Sequence, residues 1–310
     1  MIPSALVTSC SHWRYLQLNG SQYWLEGGAF DRVRNQLSSL ESLISKSAEV
    51  SNTDLFEHTP QLHYYQFRGR SFLSPSSQCW IQLTDLVIEK STIRQCYQIL
   101  SQAQSLLTCS FHKIFKTPDS LLPQLCHPHL CSLSVVQSSN YNIILDYLTL
   151  LALSTLEYTE VSSFNIAWAR SSVTTFLSQS MCFLNRLVLQ LGHAATDDDV
   201  LKILWLFSSL SELRLSGIAT HELLSQLTYD PLDLNLVVPA LHTLNLSDSR
   251  GQKSIPLLVD MIESRVPPLK HVWMVLDRTI MPPDTTYMCL QKLHDEGLDI
   301  CVGKRVAVGT

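Results

Sequence analysis

A dense cluster of possible metal ligands occupies residues 126–131. The run reads Cys126-His127-Pro128-His129-Leu130-Cys131, and thiolates and imidazoles are the ligand types that zinc prefers. However, four ligands within six residues cannot easily surround one ion without a second loop, and the alternation of a strand would turn Cys131 away from the apolar core. We therefore interpret the run as a polar lead-in to a strand, and we expect the protein to hold no metal and no other cofactor.

Three consecutive carboxylates, Asp197-Asp198-Asp199, form a second candidate site for a cation. They stand before a segment with helical spacing that begins near Val200. Acidic side chains at the start of a helix cap its free N–H groups and complement its dipole. Capping is therefore the preferred interpretation of this cluster.

The chain contains no pattern typical of a catalytic or nucleotide-binding centre. The nucleophile elbow G-x-S-x-G is missing, and so are the phosphate cradles G-x-x-x-x-G-K-[ST] and G-x-G-x-x-G. Four histidines that could act as a base, His193, His221, His242 and His271, lie at least 21 positions apart. We therefore expect that the protein is not an enzyme.

An apolar triplet with the spacing L-x-x-L-x-L recurs along the chain, and it must position any functional residue. The nine triplets are Leu62/Tyr65/Phe67, Leu83/Leu86/Ile88, Leu106/Cys109/Phe111, Leu130/Leu133/Val135, Leu153/Leu156/Tyr158, Leu184/Leu187/Leu189, Leu210/Leu213/Leu215, Leu241/Leu244/Leu246 and Leu269/Val272/Met274. Their first residues lie 21 to 31 positions apart. The mean step of about 26 residues falls in the range of leucine-rich repeats.

The residues around the triplets indicate alternating strands and helices. Proline stands two positions before the first leucine in four cases, at Pro60, Pro128, Pro239 and Pro267, where it ends a helix and begins an extended segment. Segments with helical spacing follow several triplets, at Ile143/Ile144/Leu148/Leu151, Val200/Ile203/Leu204/Phe207, Leu257/Leu258/Met261/Ile262 and Tyr287/Leu290/Leu293. The sequence thus predicts an α/β leucine-rich-repeat-like solenoid of about nine or ten irregular repeats, with parallel strands inside and helices outside.

We expect a binding surface on these strands, because the positions between the leucines face away from the core. Arginine and tryptophan are frequent at the energetic centres of protein interfaces. The candidate partner-binding residues on the expected concave face are Arg186, Glu212, Arg214, His271 and Trp273. Trp273 has an alternative role, packing beneath the loop around Met281–Pro283, and the sequence does not decide between the two.

Composition limits the partners and the compartment. The net charge is −5, only 16% of residues are charged, and no run of lysine and arginine offers a footprint for nucleic acid. No apolar stretch of about 18 residues could span a membrane, and the first residues lack the pattern of a signal peptide. The nine cysteines are scattered and odd in number, which favours free thiols in a reducing compartment. We expect a cytoplasmic or nuclear protein that binds neither nucleic acid nor membrane.

The N-terminal residues resemble the end of an F-box. The run Ser9-Cys10-Ser11-His12-Trp13-Arg14-Tyr15-Leu16 is similar to the last F-box helix with its cysteine-x-x-tryptophan-arginine signature, and Gln22-Tyr23-Trp24 resembles the leucine-tryptophan pair that commonly follows. The later P-x-L-x-x-L-x-L units resemble the irregular leucine-rich region behind the F-box in a large group of fungal proteins, especially of mushroom-forming fungi. The opening proline-containing segment and first helices of an F-box have no counterpart. We therefore divide the chain into a remnant of the F-box C-terminal helix (1–25), a capping helix and linker (26–60) and the solenoid (61–310).

The resemblance implies a target receptor of a cullin-RING (SCF) ubiquitin ligase. In such a protein the F-box docks on a Skp-type adaptor and the repeats hold the target, while the residues matching Cys10, Trp13 and Arg14 mainly pack the F-box together. The alternative is a stand-alone leucine-rich-repeat interaction scaffold with no link to ubiquitin ligation. The identity of the target is open in both cases.

Overall fold

The computed structural model describes most of the chain in two compact units, residues 1–153 and 154–310. The described residues are 9–19, 33, 36–45, 56, 58–68, 80–115, 122–137, 144–160, 170–191, 195–217, 220–230, 236–247, 255–266, 268–276 and 284–304. Predictions on Gln22-Tyr23-Trp24 and on the loop at 281–283 lie outside these residues. No helix in the described ranges is long and apolar enough to cross a membrane.

The first unit is built on parallel strands that neighbour one another in chain order. Its elements are β1 (Tyr15–Leu18), β2 (Ser42–Ser45), β3 (Tyr64–Arg68), β4 (Asp85–Glu89), α1 (Ile93–Gln102), β5 (Thr108–His112), β6 (Leu125–Cys126), β7 (Ser132–Gln137) and β8 (Leu148–Thr149), with 3-10 helices at Cys10–His12 and Ile144–Tyr147. The two short strands β6 and β8 pair with each other, and the remaining strands form a sheet in the order β1-β2-β3-β4-β5-β7. All of these pairings are parallel.

The second unit alternates strictly between strand and helix. Its elements are β9 (Thr155–Glu160), α2 (Arg170–Ser180), β10 (Arg186–Gln190), α3 (Asp197–Leu204), β11 (Glu212–Ser216), α4 (His221–Leu227), β12 (Thr243–Ser247), α5 (Ile255–Ser264), β13 (His271–Leu276), α6 (Asp284–Asp295) and β14 (Asp299–Lys304). The strands pair in parallel and in chain order. Parallel neighbours need a crossover connection, which the helices supply. The predicted α/β class is confirmed.

The apolar triplets form the core. Every residue of the nine predicted triplets is at most 5% exposed. The register stacks equivalent positions on one another, so that Leu187 lies opposite Leu213 and Leu189 opposite Leu215. Each buried leucine contributes about 2 kcal/mol to stability, and the stacking lets one strand bury the apolar side of the next.

One backbone arrangement recurs at the start of successive strands. The carbonyl of Asn185 accepts hydrogen bonds from the N–H groups of both Ser211 (2.9 Å) and Glu212 (3.0 Å), and the carbonyl of Ser211 accepts from His242 (2.9 Å) and Thr243 (3.0 Å). The same two-donor arrangement surrounds the carbonyls of Arg14, Glu41, His63, Thr84, Leu107, Ser154 and His242. These bonds satisfy the backbone N–H groups at the strand starts and fix the register between strands. The strands therefore align without a ladder of hydrogen bonds between side-chain amides.

The sheet of the first unit begins before residue 61, where the sequence placed the start of the solenoid. Strand β2 lies in the segment 26–60, where the helical spacing of Val33, Leu37, Leu40 and Leu43/Ile44 predicts the capping helix. Leu43 and Ile44 belong to the strand, so the prediction of a helix through these two residues is wrong. The buried residues at its triplet positions are Leu40, two residues before the strand, and Leu43 and Ser45 within it. Serine at the third position hides the triplet from a search for apolar residues.

Helix predictions differ in outcome between the two units. The helices predicted around Val200, Met261 and Leu290 are present as α3, α5 and α6. The helix predicted from Ile143 to Leu151 is wrong, because a 3-10 turn at Ile144–Tyr147 leads directly into β8. Ile144 and Leu148 are buried there and Leu151 is exposed, so this short connection buries its apolar residues without a full helix.

Candidate functional site

All five candidate partner-binding residues lie on one face of the second unit. Strand alternation places the leucines in the core and Arg186, Glu212, Arg214, His271 and Trp273 on the opposite side of β10, β11 and β13. We call this side of β9–β14 the polar face. It presents two rows in strand register, Thr155–Arg186–Glu212–Thr243–His271–Asp299 and Glu157–Val188–Arg214–Asn245–Trp273–Cys301.

Arg186 is the centre of an ion-pair cluster at one end of the polar face. Its Nη1 atom lies 2.5 Å from Glu212 Oε1, and its Nη2 atom lies 3.5 Å from Glu157 Oε1. The three side chains are between 33% and 40% exposed, so solvent weakens the attraction and the pairs contribute little to stability. Their consequence is geometric, because Arg186 bridges the two carboxylates and is held between them.

Arg214 and Trp273 meet in the second row. The Cζ atom of Arg214 lies 6.0 Å from the centroid of the Trp273 ring, which is a cation–π contact worth about 0.5–1 kcal/mol at an exposed site. Arg214 forms no ion pair with any residue that the structure describes. The partner observed for Trp273 is therefore an arginine of the polar face, and the alternative partner at 281–283 lies outside the described residues.

Three members of the polar face were not among the sequence candidates. The Nδ1 atom of His271 lies 3.1 Å from Asp299 Oδ2. Glu157 belongs to the cluster of Arg186, and Asn245 stands between Arg214 and Trp273. Their strand positions carried the necessary signal, since Asn245 and Asp299 are register partners of chosen residues on neighbouring strands, and Glu157 lies in the same row as Arg214, two strands away.

Asn245 contains a buried acceptor without a donor. Its Oδ1 atom is out of contact with water and has no hydrogen-bond partner in the described part of the chain. A buried carbonyl oxygen left unpaired costs about 1–3 kcal/mol. Within the described residues, the second row therefore contains an unsatisfied acceptor next to a cation that has no ion-pair partner.

The cysteine–histidine run at 126–131 does not form a metal site. His127 is buried, its Nε2 atom lies 2.9 Å from the carbonyl oxygen of Ala103, and its Nδ1 atom accepts the N–H of Leu130 at 3.2 Å. Both ring nitrogens are thus occupied by the backbone, whereas Cys126 and His129 are exposed. Within the described ranges no three histidine, cysteine or acidic side chains are arranged to hold a metal ion.

The acidic cluster at 197–199 caps a helix, as predicted. Thr196 Oγ1 accepts the N–H of Asp199 at 3.4 Å, and Asp199 Oδ2 accepts the N–H of Thr196 at 3.1 Å, which is a reciprocal capping box. Asp198 pairs with Lys202 one turn further on, at 2.6 Å. Asp197 reaches the next helix, where its Oδ2 atom accepts the N–H of Leu223 at 3.3 Å, and burial raises its pKa.

Arg265 is a buried cation that the sequence did not reveal. It is 1% exposed and donates hydrogen bonds to the carbonyl oxygens of Leu227, Val238 (2.9 Å) and Val237 (2.7 Å). Burial lowers the pKa of its guanidinium to about 10, so it stays protonated at neutral pH. Its bonds join the ends of α4 and α5 to the segment before β12, which makes it a structural residue.

Comparison with known proteins adds no family to this geometry. No family model matches the chain, and no curated protein is significantly similar to it. The resemblance to F-box proteins therefore depends on the residues quoted above.

Proposed function

We propose that the protein recognises a protein target through the polar face of its second unit. The observation that supports this best is the pair of register-aligned rows, which gather the five candidate residues on one accessible surface. Arginine and tryptophan contribute strongly where protein surfaces meet. A rigid sheet holds them in place, so little ordering entropy is lost on binding.

We further propose that the bound target is delivered to a cullin-RING (SCF) ubiquitin ligase through a Skp-type adaptor. The F-box-like cluster at Cys10, Trp13 and Arg14 supports this proposal. Cys10 is buried and its Sγ donates to Gln36 Oε1 at 3.2 Å, while the carbonyl of Arg14 accepts the N–H groups that begin β2. These contacts agree with a structural role for the cluster, and the protein contributes proximity to the ligase reaction rather than chemistry.

A cytoplasmic or nuclear location belongs to the same proposal. The described cysteines form no disulfide bond with one another. Several of them, including Cys96 and Cys109, are fully buried in the core, where burial raises the pKa of the thiol of Cys96 to about 12. They behave as small apolar side chains, which suits a reducing compartment.

Target recognition is tested by affinity capture with quantitative mass spectrometry. The double substitution Arg214→Ala/Trp273→Ala removes the centre of the polar face, and Arg94→Ala/Trp205→Ala removes the same residue types from exposed positions elsewhere. We expect a set of captured proteins to fall at least tenfold with the first variant and to stay unchanged with the second. Identical capture by the wild type and the polar-face variant would refute the assignment.

The ligase link is tested separately with purified components. We expect the full chain, including any upstream extension in its gene, to co-elute with a Skp-type adaptor and to support ubiquitin transfer to a captured target. If the chain captures targets but binds no adaptor, it is a stand-alone interaction scaffold. This alternative is favoured by the structure of the F-box-like run, which forms a 3-10 helix at Cys10–His12 and strand β1 rather than the helix that the resemblance implies.

A further inference from the structure

Arg186, the other arginine among the site candidates, already has charged partners. It lies between Glu157 and Glu212, while the Nδ1 atom of His271 lies 3.1 Å from Asp299 Oδ2. Arg214 is different, because no carboxylate among the described residues pairs with it. Glu212 stands two positions earlier on the same strand, but its carboxylate is engaged by Arg186.

Arg214 is also held in a position from which it can bind. Its contact with the Trp273 ring fixes one side of the guanidinium, and the residue is exposed to solvent. A guanidinium carries five N–H donors in a planar fork that matches a carboxylate. These donors have no protein acceptor within the described chain, so the charge is available to a ligand.

The neighbours of Arg214 define the rest of the chemistry. Asn245 lies in register between Arg214 and Trp273, but its Oδ1 atom is enclosed by the protein, so it offers no contact to a ligand. The indole of Trp273 offers a flat apolar surface. An anion and an apolar group side by side are what a short acidic stretch of polypeptide presents, in its carboxylate and the next side chain.

Resting on the proposed function, we propose that Arg214 and Trp273 bind an acidic segment of the target. A glutamate or aspartate of the target pairs with Arg214, and an adjacent apolar side chain packs on Trp273. Charge complementarity favours a single carboxylate over a phosphate. One unpaired cation balances one negative charge, and a dianion would be repelled by the carboxylates of Glu157 and Glu212 nearby.

The experiment uses the purified full chain and three libraries of capped octapeptides. The libraries carry a fixed central glutamate, glutamine or phosphoserine, with the flanking positions randomised. We expect the wild type to retain glutamate peptides about threefold better than glutamine peptides, as one exposed ion pair allows, and better than phosphoserine peptides. The preference for glutamate should shrink as the salt concentration rises, because the new ion pair is exposed.

Two substitutions test whether the preference for glutamate peptides depends on Arg214. Arg214→Gln should reduce retention of glutamate peptides to the level of glutamine peptides, while Arg94→Gln, at an exposed position of the first unit, should behave as the wild type. Equal retention of the glutamate and glutamine libraries by the wild type, or an unchanged preference in the Arg214→Gln variant, would overturn the proposal. A preference for phosphoserine would overturn the assignment of a carboxylate.

Failure here is distinguishable from failure of the proposed function. If target capture depends on Arg214 and Trp273 but the peptide libraries show no acidic preference, the polar face is the recognition surface and its partner chemistry is different. If both experiments are negative, the polar face does not bind targets.

Discussion

His127 is held in a single neutral tautomer by two backbone groups. The carbonyl of Ala103 can only accept, so Nε2 carries the hydrogen, and the N–H of Leu130 can only donate, so Nδ1 is the acceptor. Burial lowers the pKa of this imidazole from its usual 6.5. A protonated ring would lose the bond to Leu130 and would place a charge in the core, so the folded state resists protonation.

We predict an acid-sensitive stability that depends on His127. The unfolded chain takes up a proton near pH 6.5 and the folded chain only at lower pH, so the free energy of unfolding falls as pH drops below about 6.5, by at most about 1.4 kcal/mol per pH unit. His127→Gln removes this titration, and its urea-unfolding free energy should depend less steeply on pH between 7 and 5.5. The exposed neighbour variant His129→Gln should follow the wild-type slope. Equal slopes for all three proteins would contradict the prediction.

Arg265 stabilises the second unit by saturating three carbonyl oxygens. We predict that Arg265→Met lowers the free energy of unfolding by about 3 kcal/mol, because the methionine fills similar space but leaves buried carbonyls unpaired. Arg94→Met, at an exposed position, should change stability by less than about 0.5 kcal/mol. Chemical denaturation of both variants measures the difference. If Arg265→Met unfolds at the same urea concentration as the wild type, water replaces the guanidinium and the side chain is dispensable.

The side chains of His127 and Arg265 show what a sequence pattern does not predict for single residues. Ala103, which contacts His127, is 24 positions away, and Leu227, which contacts Arg265, is 38 positions away. No local spacing in the sequence indicates these contacts. The polar-face residues were predictable because alternation along a strand fixes their side of the sheet. Their pairing was not predictable, because the contacts of Arg186 with Glu212 and of Arg214 with Trp273 depend on the register between strands.

At the scale of single elements, several strands are followed directly by a residue with a positive φ, in the left-handed backbone conformation. Lys90, Lys113 and Gly217 each follow directly after a strand, with φ values of 61°, 57° and 86°. Each N–H donates to a carbonyl of the next strand, at His112, Val136 and Ser247. This conformation turns the chain out of the sheet, and it costs a non-glycine residue about 1 kcal/mol.

We predict that substitution destabilises the protein at one of these equivalent positions and has little effect at another. Gly217→Ala should lower the free energy of unfolding by about 2 kcal/mol or more, because the added Cβ would lie 2.8 Å from the carbonyl oxygen of Leu191 and φ is unfavourable. Lys113→Gly loses only an exposed side chain and gains freedom at φ 57°, so it should stay within about 1 kcal/mol of the wild type. Thermal and urea unfolding report both changes. A Gly217→Ala protein as stable as the wild type would show that the turn rearranges.

Strands β1 and β2 were not predicted, because the apolar pattern in each is weak. Triplets of leucine, valine and isoleucine are visible as a period-2 signal, but β2 carries Ser45 in a core position. Strand β1, with Leu16 and Leu18 half-buried, lies at the edge of its sheet and was interpreted as part of a helix. Edge strands bury less and need less apolar sequence, so their pattern is weaker than that of central strands.

At the scale of the whole molecule, most stabilising contacts join neighbours. Leu86 lies opposite Tyr65 and Cys109, and Leu213 lies opposite Leu187 and Leu244. In such an array stability is a sum of contributions from each strand–helix pair and from its contacts with the next. The fold class was predictable for this reason, because the same short pattern had to recur wherever the same stacking recurs.

Because each strand packs mainly on its neighbours, we predict that a destabilising core substitution opens only the adjoining strands. Leu86→Ala and Leu213→Ala each remove a fully buried side chain and should cost about 3 kcal/mol, but the loss should appear in different places. In hydrogen–deuterium exchange, Leu86→Ala should raise exchange in β3, β4 and β5 and leave β11, β12 and β13 protected, and Leu213→Ala should act in β10, β11 and β12. Uniform acceleration over all strands by either variant would mean that the chain unfolds as one cooperative body. Local opening would allow substitutions on the polar face to be interpreted as changes in binding, since their structural effects would end at the adjoining strands.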